Sequence, residues 1–274
     1  MMFVEVDEAN VEYAWFYPAT PDGGRGLRAP IVFLHHGFGN VLDWGDFPKK
    51  VADTAGCPAV LYSRRGCGGS SPLSAPRDQA YLHDEAYRFL PALLDALGVD
   101  RCHLYGHSDG ATIALLFASA FPDRTLASVV EAPHVFAETV TLEGVAVLAA
   151  RYEQEPALRG KLATGHSDPQ GAFHAWAKPW LSPEFRNWTI VNELLGLKTP
   201  LLVIQGSADP FGTIAHARLI AARAIGATRV IEIPDGGHNP HRRMESLMIQ
   251  LAGEYIRDHA EGPGMGLANS ERLE

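Results

Sequence analysis

Four short stretches hold the residues that could do chemistry. "GHSDG" sets Ser108 between Gly106 and Gly110, the G-x-S-x-G spacing of a sharp strand-to-helix turn that lifts a serine hydroxyl above a sheet. A serine hydroxyl is a poor nucleophile until a base takes its proton, and the base needs an acid to fix its tautomer. Downstream, "GSADP" supplies Asp209 as the acid and "GGHNPH" supplies His238 as the base. Ser108, Asp209, His238 is a chain order in which such a triad occurs. Glu131, at another strand end, is a rival acid, and His241 is a rival base placed where the last helix begins. Upstream, "HHGFGN" (35–40) can present the backbone N–H of Phe38, and the N–H of Asp109 sits at a helix start that favours negative charge. Two such donors, preorganised around a developing oxyanion, contribute about 3 to 4 kcal/mol each to acyl transfer.

These residues can meet only if strands and helices carry them to one edge. The serine turn needs an apolar strand before it and a helix after it, and "RCHLYG" (101–106) and "DGATIALLFASA" (109–120) supply both. Further β-rich runs lie at 12–17, 30–36, 57–63, 126–133, 200–206 and 229–235, several of them apolar throughout, as strands covered on both faces are. Helical patterns at 79–97, 213–226 and 240–259 alternate with them. The alternation predicts an α/β architecture, a mostly parallel sheet with helices on both faces. Asp209 and His238 then fall on loops at the carboxyl ends of strands, where open α/β sheets bind ligands.

From His134 to Asn192 the alternation stops, and helical stretches with Phe173, Trp176, Trp180 and Trp188 take its place. An insertion that long, leaving from the carboxyl end of a strand, is expected to be a lid over the site. The organisation read from the chain is therefore a core of 1–133 and 193–260, a helical cap of 134–192, and a Gly-rich polar tail, 261–274, expected to be disordered.

Composition narrows the function classes. Twenty-three basic against 32 acidic residues give a net charge of −9, which argues against nucleic acid as a partner. An acidic N-terminus without a basic-then-apolar leader, and no apolar run of about 18 residues, point to a cytoplasmic protein that does not engage a membrane. Cys57, Cys67 and Cys102 are odd in number and lack zinc-like spacing, so they read as small buried apolar residues. Six histidines near the motifs invite a metal reading, but none stands in H-E-x-x-H on a helix, and neither metal nor other cofactor is expected. "RRGCGGSS" lacks the spacing of a phosphate loop and reads as a turn.

Over residues 1 to 260 the chain resembles the α/β-hydrolase superfamily, on the strength of "HHGFG", "SRRGCGGS", "GHSDG", "GSADP" and "GGHNPH". The resemblance implies an α/β-hydrolase fold with an eight-stranded, mostly parallel sheet, an inserted helical cap, and a Ser-His-Asp triad working without a cofactor. "GHSDG", with an aspartate after the nucleophile, and "GHNPHRR" look more narrowly like the valacyclovir-hydrolase-type, or biphenyl-hydrolase-like, esterases. The expected function is a serine hydrolase of a small ester or related acyl compound. Alternatives sharing the triad are a carbon-carbon bond hydrolase of vinylogous diketones, a thioesterase or a lactonase. A ligand receptor on a hydrolase scaffold is a different class, disfavoured because a binder needs no intact triad.

Substrate contacts are expected from Gly37, which lets backbone approach the ligand, and from His107, His134, Phe173, Trp176 and Trp180, though lid tryptophans also serve as the lid's own core. Asp109 has two readings: an acid favourable in a first helical turn, or a carboxylate reaching the pocket to attract an amino group. Monomer and homodimer both remain open.

Overall fold

Residues that are apolar on both sides of a strand need cover on both sides, and the central strands have it. β3 (Ile31–Leu34), β4 (Ala59–Tyr62), β5 (Cys102–His107), β6 (Thr125–Glu131) and β7 (Leu201–Gly206) are buried along their whole length. The computed structural model describes residues 1–19 and 28–260. With β1 (Met2–Val6), β2 (Ala9–Phe16) and β8 (Thr228–Ile233), these strands form one eight-stranded sheet in the order β1-β2-β4-β3-β5-β6-β7-β8. Both neighbours of β2 run antiparallel to it, and every other pairing is parallel.

Strand periodicity divides the core. Ile31 and Phe33 face one way, with Leu61, Tyr105, Val129 and Ile204, and pack against α1 (Phe47–Ala55) and α10 (Glu245–Asp258). Val32 and Leu34 face the other way, toward α2 (Tyr81–Asp84), α3 (Leu90–Ala96), α4 (Asp109–Ala120) and α8 (Ile214–Arg223). The helix expected over 79–97 is continuous from Tyr81 to Ala96 but widens to a π turn at Glu85–Phe89. Pro91, which has no N–H to donate, stands two residues beyond it, in the first turn of α3. The helix expected over 240–259 breaks at Met244, giving α9 (Pro240–Arg243) before α10.

Two elements escaped the residue patterns. β1 pairs with β2 through a turn at Asp7 and Glu8, both at positive φ (47° and 63°), where glycine or asparagine would have signalled a hairpin. α1 is short and half polar, and only its Phe47, Pro48, Val51, Ala52 and Ala55 are buried. Between β6 and β7 the chain holds three helices, α5 (Thr139–Gln154), α6 (Pro156–Ala163) and α7 (Pro169–Leu181). No helix among the described residues is long and apolar enough to cross a membrane. Cys57, Cys67 and Cys102 are buried and free. The expected disorder of 261–274 lies outside the described residues.

The β5–α4 turn packs backbone closely against backbone. A Cβ on Gly106 would strike the backbone of Gly110 and Ala111, and one on Gly110 would drive into the Leu34 carbonyl of β3. Both clashes are with backbone, which cannot yield as a side chain can. Gly110→Ala is therefore expected to cost about 1 to 3 kcal/mol or more in denaturant unfolding; unchanged stability would refute this account of the turn.

His103 on β5 is fully buried, and neither ring nitrogen has a partner. Burial, helped by the charges of His259, Arg101 and Arg28, pushes it from 6.5 down to about 4. The unfolded chain takes up this proton as pH falls below 6.5, while the folded chain resists until about 4, so stability drops across that window as pH falls. The drop approaches about 1.4 kcal/mol per pH unit. His103→Leu should flatten the loss of stability between pH 7 and pH 5, and an unchanged slope would contradict the assignment.

Candidate active site

Ser108 terminates β5 with φ 57° and ψ −120°, a conformation that costs a non-glycine residue of order 1 to 3 kcal/mol and persists only when neighbours enforce it. Its N–H donates to Glu131 O of β6 at 2.9 Å, and its carbonyl accepts from Ala111 and Thr112 of α4. The turn leaves Oγ 3.0 Å from His238 Nε2.

Asp209 and His238 come from the loops after β7 and β8, and backbone bonds zip those loops together. Ser207 N–H donates to Ile233 O at 3.0 Å, Ala208 N–H to Gly236 O at 2.8 Å, and Asp235 N–H to Ser207 Oγ at 2.9 Å. The approach is so close that a Cβ on Gly206 would meet the Gly236 carbonyl. His238 Nδ1 then lies 2.8 Å from Asp209 Oδ2 and 3.0 Å from Oδ1. Asp209 also accepts from Phe211 N–H and Gln205 Nε2. Burial works to raise its carboxyl, but the charge and hydrogen bond of His238, with the Phe211 N–H, hold it below its usual value. A carboxylate facing Nδ1 keeps the proton there and turns the Nε2 lone pair toward Ser108.

The rival acid and base pair with each other. Glu131, fully buried, accepts from His241 N–H at 2.9 Å, from His241 Nδ1 at 2.9 Å and from Tyr105 O–H at 2.7 Å. His107, Glu131 and His241 are also the group among the described residues with metal-ligand spacing, but Glu131 is already held by those three donors. His107 Nε2 donates to the His238 carbonyl at 2.8 Å. Burial, then the neighbouring His241, His238 and His36, hold His107 well below its usual value, so it stays neutral.

Above Ser108 opens a cavity of about 660 Å³. Ser108, Asp109, Gly37, Phe38, His134, Trp176, Trp180 and His238 line it, with apolar residues of α5 and α6 forming the far wall. Two of the expected substrate contacts require correction. His107 lies behind the wall under His238, and Phe173 stacks on Tyr152 at 3.9 Å between ring centres, inside the helical insertion. Trp176 and Trp180 line the cavity and also pack on other rings, Trp176 on Phe38 and Trp180 on Phe185 and Trp188.

Asp109 is 1% exposed, so it is no surface acid on a helix end. Its Oδ2 accepts from Tyr81 O–H at 2.6 Å, and Tyr81 in turn accepts from Trp180 Nε1 at 2.9 Å. Its Oδ1 has no partner, and neither does His134 Nδ1, whose ring is fixed by Nε2 donating to Phe211 O at 3.0 Å. Among the described residues, the N–H groups of Phe38 and Asp109 also have no protein acceptor. Sequence reasoning missed Tyr81, Arg64 and Phe211; only Arg64 left a trace, in the loop read as a plain turn.

The chain matches the model of the α/β-hydrolase fold family over residues 30–158. Among curated proteins it is 29% identical to a proline iminopeptidase of Lactobacillus delbrueckii subsp. lactis over 103 residues, 38% of this chain and 35% of that relative. The chain thus spans about a third of that relative's length. It is 22% identical over 254 residues to the 2-hydroxy-6-oxo-6-phenylhexa-2,4-dienoate hydrolase of Comamonas testosteroni, covering 83% of this chain and 87% of the relative. The crystal structure of the enol-lactonase from Burkholderia xenovorans superposes with a TM-score of 0.72 at 18% identity, covering 93% of this chain and 99% of the other. The matched segment runs from β3 into α6 through the serine turn, and with the shared sheet it shows that the chain has the α/β-hydrolase fold.

Proposed function

We propose that the chain is a serine hydrolase acting on a small ester or related acyl compound through an acyl-enzyme. The observation that carries this is the continuous line Ser108 Oγ, His238 Nε2, His238 Nδ1, Asp209 Oδ2, with links of 3.0 Å and 2.8 Å. His238 takes the Ser108 proton as Oγ attacks the carbonyl carbon, and the carbonyl electron pair moves onto oxygen. The unengaged N–H groups of Phe38 and Asp109 receive that oxyanion. When the tetrahedral intermediate collapses, the leaving group departs with the proton held by His238. Water, deprotonated by the same imidazole, repeats the attack and frees the acid.

The helical insertion α5–α7 acts as the lid, and it sets the substrate side. Its wall is apolar at Val140, Val145 and Leu148, which suits the carbon body of an acyl or leaving group. Two residues that line the cavity with Ser108 each carry an acceptor without a donor, Asp109 Oδ1 and His134 Nδ1. A buried unpaired acceptor costs about 1 to 3 kcal/mol, which a substrate donor would recover. The favoured substrate therefore carries an amino or other donor group near the scissile carbonyl, in keeping with the valacyclovir-hydrolase-type resemblance of "GHSDG" and "GHNPHRR". Lactone, thioester and carbon-carbon cleavage would use the same triad.

Ser108→Ala should lower kcat on p-nitrophenyl esters by about 10⁴-fold or more with the circular dichroism spectrum unchanged, and Asp209→Asn by about 10⁴-fold. Near-normal turnover by folded Ser108→Ala would overturn the mechanism. Paired p-nitrophenyl esters with and without an α-amino group test these acceptors: the amino ester should lead in kcat/KM by about 10-fold or more, and Asp109→Asn should erase the lead. Equal rates in the wild type would remove the donor subsite.

A further inference from the structure

Arg64 follows β4, is 1% exposed, and takes no part in the steps above. A cation withdrawn from water costs several kcal/mol unless its surroundings compensate it. Here the compensation comes from two directions. Nη2 donates to the His36 carbonyl at 2.6 Å and to the His35 carbonyl at 3.3 Å, while Nη1 lies 3.8 Å from Asp109 Oδ2.

Each direction leads to one half of the oxyanion hole. His36 opens a tight turn closed by Gly39 N–H donating to His36 O at 3.1 Å, and Phe38 is the third residue of that turn. The same carbonyl takes a further donor. Arg64 N–H donates to His35 Nε2 at 2.9 Å, so the His35 proton resides on Nδ1, which faces His36 O at 2.6 Å. One oxygen thus accepts from Gly39, His35 and Arg64, and the turn cannot rotate without breaking all three bonds. Burial, then the Arg64 charge, holds His35 well below its usual value and preserves that neutral tautomer. On the other side, the carboxylate facing Nη1 belongs to Asp109, whose backbone N–H is the second donor.

We propose that Arg64 is a positioning residue for the oxyanion hole, a single buried guanidinium that fixes the Phe38 turn and the Asp109 turn relative to each other, with His35 as its neutral clamp. The proposal rests on the Ser108 hydrolase assignment. Arg64 makes and breaks no bond; it holds two N–H groups where the oxyanion forms. A planar fork can face both halves at once, whereas a lysine ammonium is a single point that must choose between them.

The test is Arg64→Met in the full chain. Its crystal structure should show the His36–Gly39 turn displaced by about 1 Å from Asp109, enough to cost about 10²-fold in rate. On p-nitrophenyl acetate, kcat should fall about 10²- to 10³-fold with KM within a few-fold, as on loss of one oxyanion donor. A trifluoromethyl ketone, which binds as a tetrahedral oxyanion, should weaken by the same factor as kcat/KM. The acid limb of the pH profile should stay in place, because His238 and Asp209 are untouched. An unmoved turn, kcat within twofold of wild type, or a shifted acid limb would each overturn the proposal. If unpaired Asp109 prevents Arg64→Met from folding, Arg64→Lys keeps the charge and should still lose kcat at constant KM; full kcat there is equally fatal. The crystallographic arm reads Arg64 without turnover. A wild type lacking Ser108-dependent activity would therefore sink the hydrolase assignment and leave the test of Arg64 intact.

Discussion

The structure depends on holding one residue where it would not go alone. Ser108 sits at φ 57° between a strand and a helix, and no local preference puts it there. Gly106 and Gly110 allow the approach because neither brings a Cβ against backbone, and the bond from Ser108 N–H to Glu131 O ties the turn to β6. With the turn fixed, α4 starts at Asp109, so its positive N-terminal end lies at a residue that lines the cavity. The loops after β7 and β8 need only be zipped to each other to bring Asp209 and His238 to the same edge.

Beneath that edge lies a dense buried polar layer. His35, His107 and His134 are all held below the ordinary histidine value by burial, so around the site imidazoles act as neutral donors and acceptors with fixed tautomers. The charges that remain are compensated: Arg64 faces Asp109, and Glu131 gathers three donors. In a low-dielectric interior such a layer is favourable only when its partners are supplied, and it then resists reorganisation. The acceptors left open, Asp109 Oδ1 and His134 Nδ1, belong to residues that line the cavity.

The α/β architecture and the meeting of Ser108, Asp209 and His238 were legible because each of the three stands beyond the carboxyl end of a strand, and strand ends at one edge of a parallel sheet are close in space whatever their separation in sequence. That Asp209 and not Glu131 lies beside His238 was legible for the same reason, since Asp209 is on the loop next to that of His238. β1 was hidden because its turn uses Asp7 and Glu8 at positive φ, and α1 because half of its surface is polar. Tyr81 and Arg64 were hidden for a different reason. Their roles exist only once α7, the β3 loop and the start of α4 converge, and no periodicity encodes a meeting of three distant segments. His107 and Phe173 were placed on the wrong side of the cavity wall because sequence identifies a wall residue without saying which way its ring points.

The central claim is that folding turns Ser108 into a nucleophile. Reaction of the native protein with a fluorophosphonate, followed by intact-mass analysis and peptide mapping, measures this directly. The account predicts one adduct per chain, on Ser108, and none in protein unfolded by denaturant. A folded protein that takes up no label, or takes it up on another residue, would contradict it.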